Sequence, residues 1–367
     1  MVLVGCGSSP PRGPQSGESG QPGAAKAGST VERTASRWVP VSWGDLPGWG
    51  QDALHEAWGT ALTNCEKPNP VYASLCPQIR QLSLADDTEK WQWLQTHLQP
   101  YRVESLTGEQ TGLLTGYYEP LLLASRLSTE QFRYPLYQTP PMPAGHKFTY
   151  PRREIDLMGE SAVGLGNRQI AYLADPVDAL IVHIQGSTRL SVLEPNGQRR
   201  LVRLAFAGTN DQPYQSVAKW LLDRGEIRDA SWPSIKAWVA ANAASQPDKV
   251  RDMFWSNPRM VFFREEALAE ADAGRGPRGA QGVPLTAGRS IAVDRRSIPY
   301  GTPVWLVSNG PTTSLQKLVF AQDTGSAITG AVRADYFAGT GEEAGQLAGR
   351  LKQSLQLWAL WPVGSQP

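Results

Sequence analysis

A chain of 367 residues, 41% of them hydrophobic, can bury more than one core, and Lys+Arg 35 against Asp+Glu 34 leaves it close to neutral. No basic block or stripe breaks that balance, which argues against nucleic acid as a partner. The densest apolar run, Ala179 to Ile184, is far too short to span a bilayer, while Gly 36 and Pro 29 indicate a turn-rich, mostly β protein.

At the N-terminus, Leu3-Val4-Gly5-Cys6 has the small-residue pattern of a bacterial lipobox, in which Cys6 becomes the lipidated first residue. The charged and apolar segments that precede such a box are short here, so the expectation includes a signal peptide extending before Met1. Gly7 to Ser36 is Gly/Ser/Pro-rich and almost free of bulky apolar residues, the composition of a flexible tether. Residues 1–36 are therefore read as lipobox and tether. Asp52 to Thr63 places Leu54, Trp58 and Leu62 at helical spacing, and Asp87 to Leu98 does the same with Trp91, Leu94 and Leu98. Between them Cys65 and Cys76 flank a Pro-containing loop, where an oxidising compartment would allow a local disulfide. Three cysteines without metal-knot spacing and only four histidines give no support for a metal site, and no cofactor is expected.

Leu113 to Pro120 reads as a strand carrying Thr115, Gly116, Tyr117 and Tyr118. It is either a ligand-binding strand or a half-buried edge stopped by Pro120. Arg126 to Ser161 reads as loops and short strands. Strand-sized runs follow at Gln169–Leu173, Ala179–Gln185, Arg189–Leu193 and Arg200–Ala207, with a hairpin turn over Glu194–Gln198. His183 then sits in a strand among apolar neighbours, as a core histidine. Helices are expected over Tyr214–Arg224, Ser234–Ala243 and Pro247–Trp255. A strand at Arg259–Arg264 leads into a Gly/Ala/Arg linker, Ala271–Gly282. Strands at Ser290–Val293, Pro303–Leu306 and Leu318–Ala321 precede a closing helix at Glu342–Gln356. No GxxxxGK[ST] occurs, and Gly164-Leu165-Gly166 lacks a third glycine, so nucleotide binding has no support.

The stretch from Leu318 to Gly339 organises the rest. A buried-strand run breaks at Gln322-Asp323-Thr324-Gly325, and a second acid, Asp335, lies between Arg333 and the aromatic pair Tyr336-Phe337. By themselves these acids read first as turn residues: Asp323 as an Asx-turn residue and Asp335 as the start of a loop.

Together, several segments resemble the membrane-bound lytic murein transglycosylase A (MltA) family. They are Leu114 to Pro120, Val182-His183-Ile184-Gln185-Gly186-Ser187, Gly208-Thr209-Asn210, Arg289 to Asp294, Ile298 to Pro303 and the Leu318–Gly339 stretch. The last three resemble that family's C-terminal module named for three aspartates, matched here by Asp294, Asp323 and Asp335. Ser326 departs from a usual glycine, and Ser187-Thr188 from a usual Ser-Gly.

The resemblance implies a double-psi β-barrel built from residues 37–113 and 265–367, with a smaller β-domain, 114–264, inserted and a groove between the two. It implies cleavage of the β-1,4 bond between N-acetylmuramic acid and N-acetylglucosamine, the muramic C6 hydroxyl attacking its own C1 to give a 1,6-anhydro sugar. Because the nucleophile belongs to the substrate, one carboxyl can act as acid and then as base. That role falls to Asp335, whose apolar flank should raise its pKa, with Asp323 positioning and polarising. Thr115, Gly116, Tyr117, Tyr118, Gln185, Gly186, Ser187, Asp294, Thr324, Gly325 and Arg333 are the expected substrate-binding set. Arg333 is expected to face a neighbour instead of Asp335, and Asp294 has an equal claim to a structural role. The implied partner is the peptidoglycan glycan strand, met by a monomer lipid-anchored on the periplasmic side of the outer membrane, with cell-wall machinery as further company. Two other readings stay open: a hydrolase in which water replaces the C6 hydroxyl and Asp323 is the base, and a non-catalytic glycan-binding lipoprotein.

Overall fold

The computed structural model describes residues 29–268, 272–311 and 313–367. Cys6, most of the expected tether and Ala271 lie outside the described residues. The first described strands, β1 (Val31–Glu32) and β2 (Arg37–Pro40), pair with each other, and buried Ser36 reaches the Ser297 carbonyl, so the end of the expected tether already belongs to the fold. Three helices follow: α1 (Leu54–Asn64), α2 (Cys76–Gln81) and α3 (Asp87–His97). The last starts on a capping box, in which Asp86 accepts from the Glu89 N–H and the Glu89 side chain returns to the Asp86 N–H. Cys65 and Cys76 are joined in a disulfide that ties the end of α1 to the start of α2. Strands β3 (Leu98–Glu104) and β4 (Gly112–Glu119) complete this first segment.

The middle of the chain forms a second sheet with its own helices. It comprises β5 (Leu121–Ser125), β6 (Tyr134–Tyr137), α4 (Arg152–Met158), β7 (Gln169–Leu173), α5 (Pro176–Gln185), β8 (Thr188–Leu193) and β9 (Arg199–Thr209). Three helices, α6 (Val217–Leu222), α7 (Trp232–Asn242) and α8 (Pro247–Trp255), then lead into β10 (Val261–Ala267). The strand order is β10-β9-β8-β5-β7-β6. The chain returns to the first sheet with β11 (Ser290–Val293), β12 (Pro303–Asn309), β13 (Ser314–Asp323), β14 (Arg333–Thr340), α9 (Glu342–Arg350) and β15 (Lys352–Pro362).

That first sheet runs β1-β2-β3-β15-β12-β13-β11-β14-β4, and β4 pairs again with β15. Six strands therefore close a ring, with β11–β13 and β14–β4 parallel and the remaining pairs antiparallel. Closure removes the barrel's free edges. Its core is filled by residues such as Leu114, Ile291, Trp305, Val319, Tyr336 and Trp358. The mostly β architecture with a barrel and a second sheet is the one expected.

Several local expectations are corrected. Ala179–Gln185 is the body of α5, not a strand. Asp175 accepts from the Val177 N–H at 2.7 Å, Pro176 fills the first turn, and Gly186 ends the helix at φ +77°. A continuous apolar run fits a buried helix as well as a buried strand, and here the caps decide. The closing helix stops at Arg350, and the chain continues as β15, whose pairing with β12, β3 and β4 outweighs the helical pattern. α4 lies within the stretch read as loops. α6 begins only after Ser216, which is extended and whose hydroxyl caps the helix by accepting from the Lys219 N–H.

Candidate active site

Two features of the strands place Asp323 and Asp335. On β11, Ala292 pairs with Asp323 of β13 on one side and Asp335 of β14 on the other. The β11–β13 register slips between Ile291 and Ala292, skipping Gln322. Such a bulge re-aims the next side chain. Gln322 turns inward, fully buried, to accept from the Ser290 hydroxyl at 2.6 Å.

On β4, Thr115 lies opposite Asp335 and Tyr117 opposite Phe337. Strand alternation puts Thr115, Tyr117 and Glu119 on one face. The Thr115 hydroxyl donates to Asp335 Oδ1 and receives Arg333 Nη2 at 2.8 Å. The other Arg333 nitrogen donates to the carbonyls of Leu113 and Ala334, so its guanidinium reaches Asp335 through Thr115 and not directly. Asp335 Oδ2 has no hydrogen-bond partner among the described residues. Burial raises the Asp335 pKa, against the opposing pull of Thr115 and the Arg333 charge.

Asp323 is held differently. Tyr117 Oη donates to Oδ2 at 2.9 Å, and the Ala280 N–H to Oδ1 at 3.0 Å. Burial pushes its pKa up to about 6 despite those bonds. Ala280 comes from the stretch read as a linker, which is a hairpin: the Gly276 N–H donates to the Leu285 carbonyl, the Leu285 N–H to the Pro277 carbonyl and the Gly279 N–H to the Val283 carbonyl. The hairpin lies so close to the barrel that a Cβ on Gly276 would sit 2.6 Å from the Phe337 ring, and one on Gly279 2.4 Å from the Gln322 carbonyl oxygen. Glycine in both places was the available signal.

The remaining expected residues divide. Gly116 and Tyr118 occupy the opposite face of β4, against α9, so they do not share the face of the two carboxylates. Gln185 accepts from the Tyr118 N–H at 3.0 Å, which makes it a clamp on β4, with Gly186 and buried Ser187 following it. Thr324 bonds the Val293 carbonyl, and the Gly325 carbonyl closes the turn to Ile328. Asp294 is 6% exposed, and both oxygens are used within the fold, by Arg296 and by the N–H groups of Arg296 and Gly330. Those bonds pull its pKa down to about 2 and tie it to the turn that follows β11. His183 is buried in α5 and accepts the Val261 N–H at Nδ1; burial lowers its pKa well below the usual range.

A further residue, Glu119, was not singled out from the sequence. It is fully buried at the end of β4 and is gripped by Arg189 of β8 at 2.7 Å and Arg203 of β9 at 2.6 Å, with Thr340 on the barrel side. The same arginines donate to the Ala273 and Arg275 carbonyls. This cluster holds the second sheet beside the carboxylate-bearing face.

Residues 113–264 match the MltA specific insert domain, and residues 289–361 match the 3D domain, which carries all three aspartates. The lytic transglycosylase LtgG of Burkholderia pseudomallei is 40% identical, the alignment covering 91% of this chain and 97% of that one, with a TM-score of 0.61. The chain belongs to the MltA family. The crystal structure of MltA from Neisseria gonorrhoeae is 28% identical and covers 94% of this chain and 97% of its own, with a TM-score of 0.76. The membrane-bound lytic murein transglycosylase A of Escherichia coli K12 is 32% identical over 257 residues, which make up 67% of this chain and 64% of that relative. The chain thus spans just under two thirds of that MltA relative. No described helix is long and apolar enough to cross a membrane.

Proposed function

We propose that this chain is a lytic transglycosylase of peptidoglycan, acting on the β-1,4 bond between N-acetylmuramic acid and N-acetylglucosamine with Asp335 as acid and then base. The observation that carries the reading is the asymmetry of the two carboxyls. Asp335 keeps one oxygen without a protein partner and has a raised pKa, so it can arrive protonated and donate to the leaving O4. Asp323 has both oxygens occupied by the fold, which suits positioning and polarising but not the activation of water. With no second free carboxylate on this face among the described residues, the C6 hydroxyl of the muramic ring is the nucleophile, attacking C1 as the O4 bond breaks. Asp335, now ionised, accepts the C6 proton, and the sugar leaves as the 1,6-anhydro form. The family's names for LtgG and MltA support the same chemistry. Lipidation of Cys6 and a place at the periplasmic face of the outer membrane belong to this proposal.

The test is mass spectrometry of the products released from purified peptidoglycan by the full chain and by Asp335→Asn. Anhydro-muropeptides are expected from the parent, with a loss of at least about a thousandfold in the variant. Reducing-end products that vanish in the variant would replace the proposal with a hydrolase.

A further inference from the structure

Beyond Tyr118, on the face of β4 turned away from Asp335, a cleft of about 680 Å³ opens between α9 of the barrel and α5 and α7 of the inserted domain. Small-molecule sites fall in the range of about 300–1,000 Å³, and two N-acetylhexosamine rings fit within such a space. The indole of Trp232, partly buried at the start of α7, lines one side, and the ring of Tyr118, packed against Gly345 of α9, lines the other. Neither Trp232 Nε1 nor Tyr118 Oη has a hydrogen-bond partner among the described residues, so each presents a flat apolar face with an unused polar tip. Beside the Tyr118 ring, α9 and its N-cap carry Gly349 and Gly341, where nothing lies within 4 Å of a Cβ position and a ligand ring can approach the backbone.

The rim carries equal and opposite charge on each wall. Asp178 and Lys236, bonded at 2.6 Å, come from the inserted domain; Glu342 and Arg350, both exposed, come from α9. No block of like charge lines the cleft that would select a polyanion or a polycation. A neutral ligand rich in hydroxyl and amide groups meets aromatic faces and both donors and acceptors. Resting on the proposed glycan-strand substrate, we infer that this cleft is a second binding site for N-acetylated glycan, separate from the carboxylate face. It would hold another stretch of the same polymer and raise the local concentration of strand at Asp335.

The test uses the full chain carrying Cys6→Ala and Asp335→Asn, titrated with chitotetraose while calorimetry reads stoichiometry and NMR reads the Trp232 indole resonance. Two variants attack the cleft from opposite walls. Trp232→Ala removes the platform, and Gly349→Leu fills the space, since a Cβ at Gly349 meets nothing within 4 Å. Two tetramers per chain are expected, falling to one in either variant, with the Trp232 resonance shifting on binding. In an active Asp335 background, both variants should cleave short soluble strands as the parent does and insoluble sacculi about tenfold more slowly. One tetramer per chain throughout, or a Trp232 resonance that moves with a stem peptide but not with the tetramer, would overturn the inference. A parent that cleaves nothing while Trp232 still responds to the tetramer would sink the catalytic reading and leave this site standing.

Discussion

Asp335 and Asp323 stand on β14 and β13, one on each side of Ala292, and their environments set their chemistry apart. The Thr115 hydroxyl lowers the Asp335 pKa against the rise that burial causes. Thr115→Val therefore lets the pKa climb further, and the protonated acid survives to higher pH. The alkaline limb of kcat against pH should move upward, and a limb that stays put would assign it to another group. Asp323 carries a stability consequence. Its folded pKa of about 6 lies above the ordinary value of 3.8, so the folded state binds the proton more tightly than the unfolded chain. The parent thus loses stability as pH rises from about 4 to about 6. Asp323→Asn should match the parent near pH 4 and exceed it by about 2 to 3 kcal/mol above pH 6, measured by urea unfolding at each pH. Both acids were legible in the sequence as members of a resembling module. The resemblance also implied their division of labour, but the physical basis for it lay out of reach, because it depends on Tyr117 and Ala280, far away in the chain.

At the scale of elements, α5 and the Gly276–Leu285 hairpin show what local pattern misses. An apolar run bounded by Asp175-Pro176 and Gly186 carries helix signals at both ends, and those caps were the readable evidence against a strand. Asp175→Ala removes the N-cap and should lower stability by about 1 kcal/mol, seen as a shift in the thermal midpoint. The hairpin has no such signal. Its Gly- and Arg-rich composition reads as a linker, yet it supplies the Ala280 N–H to Asp323. Gly276→Ala would press a methyl group to within 2.6 Å of Phe337 and 2.7 Å of the Leu285 carbonyl oxygen. A cost of about 1–3 kcal/mol is expected, together with reduced turnover as Asp323 loses its support.

For the molecule as a whole, the joint at Glu119 decides how the second sheet meets the barrel. Glu119→Ala leaves Arg189 and Arg203 buried beside each other without their counter-charge. The expected loss is about 3–5 kcal/mol by denaturant unfolding, well beyond that of a surface ion pair. The Cys65–Cys76 bridge, whose cysteines are 11 residues apart in sequence, acts on the barrel side alone. Cys65→Ser should cost about 2 to 3 kcal/mol there, with the pH dependence of turnover unchanged.

The sequence by itself determined the mostly β character and most of the strands and helices, and it singled out the two acids proposed to carry the chemistry. Turn residues, caps and periodicity act over a few neighbouring positions and can be read in order. Tertiary structure alone decided that β15 is a strand, that a bulge at Gln322 turns Asp323 outward, and that the Thr115 face of β4, not the Tyr118 face, meets the two carboxylates. It also decided that Glu119 is a joint between two sheets. Each of these depends on partners far apart in the chain, from Thr115 with Asp335 to Ala280 with Asp323, which only strand pairing and the docking of the hairpin bring within bonding distance.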